Sequence, residues 1–284
     1  MKAEQFTGVL SYHGEGAVWW QATGEVRFVD MLAGVVVAVD ADAVSYRMPV
    51  GSKVAACLRP RLGGGAVLAR ENDIAICRRE DLSDLVTLTG TIIDVGQRFN
   101  EGNCDPDGRF YAGTMAYDRT PGVAALYRVG QGTRAVPAID SVTTSNGLGF
   151  SPDGTLAYYN DTATGRTAVY DYGIRTGLTN PRTFVAYPAK TDRPDGLCVD
   201  AEGGVWVAMF RGGVVRRFLP TGELDAVIEV PVRLVTSCAF GGENLETLFI
   251  TTSRENLTDP EDSAGAVFRA SVGIRGMQPL PFRY

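Results

Sequence analysis

Carboxylates and carboxamides able to hold a cation recur in four short segments of the chain. These are His13-Gly14-Glu15-Gly16, Gln97-Arg98-Phe99-Asn100-Glu101, Ser145-Asn146-Gly147-Leu148 and Arg193-Pro194-Asp195-Gly196. One carboxylate, one amide and a second carboxylate converging from such segments would form an oxygen cage. That donor set suits a hard divalent cation such as Ca²⁺ or Mg²⁺. His13 is the sole histidine, which excludes HExxH zinc sites and histidine-rich clusters. A Ser-His-Asp triad would have to use His13, and no GxSxG elbow supplies its serine. Neither GxxxxGK nor a GxGxxG between strand and helix occurs. Each candidate also has a plainer reading. Glu15 could be a solvated turn acid, Asn146-Gly147 a type I′ turn, Asp195-Gly196 a common turn pair, and Arg98 one half of a surface ion pair. His13 reads as a structural neighbour of the site.

Residues so far apart need a scaffold that returns repeatedly to one axis. Short apolar runs such as Val35–Val39, Phe110–Gly113, Leu156–Tyr159, Val205–Ala208 and Leu248–Thr252 alternate with Gly, Pro, Asp and Asn, and 34 glycines suit many tight turns. The turn-and-strand unit Asp105-Pro106-Asp107-Gly108 returns as Ser151-Pro152-Asp153-Gly154, Asp200-Ala201-Glu202-Gly203 and, more weakly, Gly241-Gly242-Glu243-Asn244, at intervals of 41–49 residues. Such a period marks propeller blades. A first blade near Ala17–Val39 and a degenerate second near Leu62–Arg78 complete the set. The fold expected is all-β: a six-bladed β-propeller of four-stranded antiparallel blades around a central channel, one domain over residues 1–284. A double β-sandwich is the competing architecture, but it does not repeat a turn-and-strand unit at this interval. Asn103–Gly108 mimics the start of an EF-hand loop, yet Thr114 occupies the place of its bidentate acid, so the segment reads as a hairpin turn.

Composition limits the partners. The net charge is −6, which argues against nucleic acid, because phosphate binding needs a Lys/Arg surplus on some face. Apolar runs such as Val35–Val39 are far too short for a membrane span, and the N-terminal residues lack the apolar core of a signal peptide. The five cysteines, Cys57, Cys77, Cys104, Cys198 and Cys238, are odd in number and form no CxxC. A disulfide framework is therefore not expected, and a reducing, cytoplasmic location is. The cysteines read as small buried apolar residues.

The motifs GEGAVW, RFNEGNCDPDGRFYAGTM, SNGLGFSPDGTLAYYNDT and PDGLCVDAEGGVWVA stand in that order from Gly14 onward. In order and spacing the chain resembles the family of senescence marker protein (regucalcin), gluconolactonase and luciferin-regenerating enzyme, with a tail similar to bacterial sugar lactonases. The resemblance implies one divalent metal ion, with Ca²⁺, Zn²⁺, Mn²⁺, Mg²⁺ and Fe²⁺ all used in the family. It implies Glu15, Asn146 and Asp195 as metal ligands, and Arg98 and Asn100 as substrate contacts. The family often has a glutamate shortly after GTM; here Ala116-Tyr117-Asp118 follows, and Asp118 is expected in its place. The implied activity is hydrolysis of a small sugar lactone, an aldonolactone such as glucono-, xylono- or arabinonolactone.

Such a reaction needs no covalent nucleophile, which fits a chain with one histidine. A metal can polarise the lactone carbonyl and acidify water, and Asp195 is expected to be the catalytic base. Arg98 and Asn100 would orient sugar hydroxyls or stabilise the oxyanion. The alternatives are a calcium-binding regulatory propeller, or a hydrolase of a non-sugar lactone or ester. No quinone-site constellation supports an oxidoreductase. The expected partner is a small sugar lactone, with neither nucleic acid nor membrane, and the chain is expected as a monomer or weak homodimer.

Overall fold

The computed structural model describes residues 1–90, 92–130, 132, 134–187 and 193–284. Runs of β-branched and aromatic residues broken by turn residues form strands, as their composition dictates. After β1 (Glu4–Val9), blade 1 holds β2 (Gly14–Trp20), β3 (Glu25–Asp30), β4 (Val35–Val39) and β5 (Ser45–Pro49). Blade 2 holds β6 (Ala55–Pro60), β7 (Ala66–Arg70), β8 (Ile74–Ile76) and β9 (Val86–Thr89). Blade 3 holds β10 (Gln97–Cys104), β11 (Phe110–Ala116), β12 (Ala124–Val129) and β13 (Val136–Val142). Blade 4 holds β14 (Ser145–Phe150), β15 (Leu156–Asp161), β16 (Arg166–Gly173) and β17 (Gly177–Ala186). Blade 5 holds β18 (Arg193–Val199), β19 (Val205–Phe210), β20 (Val214–Phe218) and β21 (Leu224–Glu229). Blade 6 holds β22 (Val235–Gly241), β23 (Thr247–Thr252) and β24 (Ala266–Ser271), and β1 completes it by pairing with β24.

Each blade is an antiparallel sheet ordered as its strands occur in sequence, apart from β1. The inner strands β2, β6, β10, β14, β18 and β22 each touch the inner strands of both neighbouring blades. The six sheets therefore close into a ring, and the expected six-bladed propeller is the observed fold. A sandwich would pack two sheets, not six. Among the described residues there is no α-helix, and no helix is long and apolar enough to cross a membrane.

The repeated turn joins the inner strand to the second strand of a blade. Its first residue holds the hairpin. In blade 3, Asp105 Oδ1 accepts from the backbone N–H groups of Asp107 (3.0 Å) and Arg109 (2.8 Å), so the segment that mimics an EF-hand is this hairpin. In blade 5, Asp200 does more. Its carboxylate accepts from the Glu202 and Gly204 N–H groups, from Trp206 Nε1 and from Arg217 Nε, the last two at 2.8 Å each. The Arg217 guanidinium also lies over the Trp206 ring. The turn thus fixes Trp206, which packs with Phe240, Leu248 and Phe268 between blades 5 and 6.

All five cysteines are free, and four are buried. Burial pushes the thiols of Cys57, Cys104 and Cys198 up, which suits packing and not nucleophilic work.

Replacing Asp200 by Ala would remove the buried acceptor of Arg217 Nε and Trp206 Nε1, while Glu202 and Asp225 still pair with Arg217. Leaving a buried donor unsatisfied costs about 1–3 kcal/mol. We expect Asp200→Ala to lower the urea unfolding midpoint by a corresponding amount. An unchanged midpoint would show that the remaining turn hydrogen bonds suffice.

Candidate metal and active site

Glu15, Asn100, Asn146 and Asp195 all lie near the start of an inner strand, where the ladder with the second strand is interrupted. Pairing jumps between Glu15 and Val18, Phe99 and Gly102, Ser145 and Leu148, and Pro194 and Leu197. Each jump is a β-bulge, which bends the strand and re-aims its side chains. Asn146-Gly147 and Asp195-Gly196 are therefore bulges inside β14 and β18, not hairpin turns. Gly147 is needed for close approach: a Cβ there would stand 2.6 Å from Leu197 N and 2.7 Å from the Asp195 carbonyl oxygen.

The bulged ends open into one cavity of about 600 Å³ whose lining includes His13, Glu15, Arg98, Asn100, Asn146 and Asp195. Glu15, Asn146 and Asp195 are 3%, 5% and 4% exposed, so the donors sit at its floor. Hydrogen bonds fix the Asn146 amide. Thr162 Oγ1 donates to the Pro194 carbonyl (2.8 Å), so it must accept from Asn146 Nδ2 (2.8 Å). The amide oxygen then remains as the acceptor. Asn100 is more fully committed. Its Oδ1 accepts from Arg98 Nη1 (2.7 Å) and its Nδ2 donates to the Ser145 carbonyl (2.8 Å). The Arg98 Nη1 also donates to the Phe99 carbonyl (2.9 Å).

The floor is electrostatically costly. Burial holds the Asp195 carboxyl well above its ordinary range, and the nearby Glu15 and Glu101 carboxylates raise it further. Glu15 is raised likewise, by burial and then by Glu101, against a hydrogen bond from the Gly16 N–H. Asp195 Oδ1 is buried with no hydrogen-bond partner among the described residues. His13 Nδ1 lies 2.8 Å from Ser253 Oγ. Burial, with Arg98 and Arg119 nearby, lowers its pKa to about 3, so it is neutral at pH 7.

Residues 13–254 match the family profile described as the SMP-30/Gluconolactonase/LRE-like region. The chain belongs to this family. It is 32% identical to regucalcin of Bos taurus over 281 residues, covering 95% of this chain and 94% of the bovine protein. Among solved structures, a regucalcin of Agrobacterium tumefaciens, described as a calcium-binding protein, superposes with a TM-score of 0.89 at 25% identity, covering 96% of this chain and 95% of the other. A luciferin-regenerating enzyme superposes with a TM-score of 0.87 at 27% identity, covering 97% of each chain.

Within this SMP-30/gluconolactonase-like chain, five of the six expected site residues meet in the cavity. Asp118 does not. It is exposed in the turn after β11, where its Oδ1 accepts from the Thr120 N–H (2.9 Å), while its neighbours Arg119 and Pro121 line the cavity. Four charged residues near the site were not singled out from the sequence. Arg119, Arg193 and Glu255 line the cavity. Glu101 is buried 3.5 Å from Arg59, beside the floor. Glu101 and Arg193 had a signal, their places in the Gln97–Glu101 and Arg193–Gly196 segments.

The donors fit a hard divalent cation. Two carboxylates and an amide oxygen supply the ligand types such an ion takes, and the orphaned Asp195 oxygen lacks any protein donor. Among the described residues no group of three or more His, Cys, Asp and Glu could hold a metal, so a third protein donor would come from another oxygen, for which the Asn146 amide is placed in the same cavity.

A carboxyl whose pKa is raised on folding stabilises the protein at acid pH and loses that contribution as pH climbs. In metal-free protein, wild type should therefore lose stability relative to Asp195→Asn as pH rises above the ordinary carboxylate range. Thermal unfolding in chelator across pH 4.5 to 8, roughly the span over which such linkage acts, checks this. Parallel curves for the two proteins would overturn it.

Proposed function

We propose that the chain hydrolyses a small sugar lactone to the open-chain acid, using one divalent cation held by Glu15, Asn146 and Asp195. The observation that carries the reading is the buried, unpartnered Asp195 Oδ1, in one cavity with Glu15 and Asn146. The family's name, which includes gluconolactonase, supports the substrate class. The calcium-binding description of the Agrobacterium relative supports the cation.

A bound cation supplies Lewis acidity at the carbonyl oxygen and eases ionisation of water. The chain's own residues supply the rest. Asp195 is the base: its carboxylate takes the proton of the attacking water, a role that needs only hydrogen-bond reach. The Arg98 guanidinium, with Nη1 fixed on Asn100 and the Phe99 carbonyl, presents positive charge where the carbonyl oxygen becomes an oxyanion. Asn100 acts mainly by holding Arg98 and by tying β10 to β14. Asn146 keeps its amide oxygen turned to the floor through Thr162. His13 is neutral and bonded to Ser253, so no step requires it.

A second reading is a cation-binding protein without turnover, favoured by the description of the Agrobacterium relative. A lactone panel assayed by acid release separates the two.

Activity should vanish in exhaustive chelator and return with one of Ca²⁺, Zn²⁺, Mn²⁺, Mg²⁺ or Fe²⁺. Full turnover with metal content verified as nil would refute cation dependence. At saturating metal, Asp195→Asn should lower kcat by about 10²–10⁴-fold, the usual weight of a general base. A kcat near wild type would move the base to another group.

A further inference from the structure

Three arginines line the cavity, and only one is engaged. Arg98 lies at the floor, bonded as described. Arg119 follows β11 in blade 3, and Arg193 is the first residue of β18 in blade 5; both are exposed at the mouth. Among the described residues the side chains of Arg119 and Arg193 make no hydrogen bond and no ion pair.

Among the described residues the cavity's charges do not balance. Among the same residues its lining carboxylates are Glu15, Asp195 and Glu255. On the reading above, on which this inference rests, the cation takes up the charge of Glu15 and Asp195. Glu255 is then left against three guanidiniums, in a chain whose net charge is −6. A local excess of positive charge in so acidic a protein is not a consequence of composition.

The charges are also segregated. Glu255 belongs to blade 6 and lies 3.8 Å from His13 Nδ1. Arg119 and Arg193 stand on the two blades flanking blade 4. The wall between them is uncharged and hydroxyl-rich, with Thr143, Thr144, Thr162 and Thr164. The turn after β11 sharpens the contrast. A carboxylate, Asp118, was expected to meet the substrate there, but it is tied to the Thr120 N–H, and the turn presents Arg119 instead. Arg119 has a left-handed φ of 60°, and its N–H bonds the Ala116 carbonyl at 3.0 Å. The backbone is thus held in a conformation uncommon for a side-chain-bearing residue.

The geometry points to a lactone that carries its own anion: a carboxylate or phosphate on the carbon farthest from the ester carbonyl, seated between Arg119 and Arg193 against the threonine wall. The volume, about 600 Å³, lies within the range of small-ligand sites and leaves space for such a group. The reaction is unchanged and needs only water. Water adds to the carbonyl carbon, the ring C–O bond breaks, and the ring oxygen takes a proton. The new acid group then ionises, giving a sugar dicarboxylate or a phosphorylated sugar acid.

The test compares glucono-, glucaro- and 6-phosphogluconolactone on the metal-loaded wild type and on the double variant Arg119→Gln/Arg193→Gln. Two partly exposed ion contacts together give on the order of a tenfold effect. We expect kcat/KM for one of the two anionic lactones to exceed that for gluconolactone by about that factor. The preferred arm identifies carboxylate or phosphate. In the double variant the preference should collapse through KM, because the contact is made equally in ground and transition states. It should also shrink with added salt. Equal kcat/KM for all three, or a preference that survives the double variant, would overturn the inference and leave the lactonase reading intact. If no lactone turns over, the lactonase reading fails. Calorimetric binding of glucarolactone and 6-phosphogluconolactone to wild type and variant then decides the charge pocket alone. A roughly tenfold weaker affinity in the variant for either ligand upholds the pocket, and equal affinity for both removes it.

Discussion

A buried carboxylate oxygen without a donor is the constraint around which the channel mouth is organised. Asp195 Oδ1 is that atom, and the carboxylates of Glu15 and Glu101 make its ionisation harder. Leaving a charge in that state is far more costly than leaving it in water. The nearby donors are already committed: Arg98 Nη1 to Asn100 and Phe99, Asn146 Nδ2 to Thr162, Thr162 to the Pro194 carbonyl. These committed groups cannot turn to Asp195 without giving up a partner of their own. A proton or a cation would relieve it, and a cation bound only by the folded chain would link the fold's stability to the site's occupancy.

The ring produces this concentration of polar atoms by repetition. All six inner strands carry a pairing irregularity near the same end, including those of blades 2 and 6 between Ala55 and Cys57 and between Val235 and Ser237. The residue at the irregularity is Ala56 in blade 2 and Thr236 in blade 6. Equivalent backbone therefore carries unequal chemistry. At the bulges charge and amide come from blades 1, 3, 4 and 5, and among the described residues blade 2 contributes nothing to the cavity lining. An asymmetric site on a repeating scaffold lets one side of the channel bind and the other only support.

The blades were legible because the hairpin turn repeats with its physics intact: an acid or hydroxyl caps the turn, a glycine takes the positive φ, and an alternating strand follows. The degenerate blade 2 was found only from Leu62, because its inner strand, Ala55–Pro60, is followed by Gly63-Gly64-Gly65 without the capping acid. At the site, motif resemblance named Glu15, Asn146 and Asp195, whereas local pattern favoured turns. A bulge and a turn share the Asn-Gly or Asp-Gly signature, and only pairing across the blade separates them. Asp118 shows the finer limit. In a tight turn, successive side chains point in different directions, and a one-residue difference decides whether Asp118 or Arg119 faces the cavity. Arg193 stood in the Arg193–Gly196 segment without a role of its own, and Glu255 had no repeating context, so nothing local marked it.

The two ends of the channel are not equivalent. At the end away from the site, the segment after β24 crosses the blades and is pinned by backbone hydrogen bonds. Gly276 N–H bonds the Leu245 carbonyl in blade 6, Phe282 N–H the Pro60 carbonyl in blade 2, and Arg283 N–H the Gly108 carbonyl in blade 3. Phe282 is fully buried in the core of the first three blades. Met277 to Leu280 reduce the space beneath the inner strands to a small cavity of about 90 Å³. That end is narrowed by side chains, and the larger cavity, about 600 Å³, lies at the polar end. Among the described residues Arg119, Arg193 and Glu255 line the cavity together with the floor residues, so on the proposed reading a substrate meets both sets. Recognition of its outer end and chemistry at its inner end are therefore separated along one path. The first can vary with the loops, while the second stays fixed by the bulges of the inner strands.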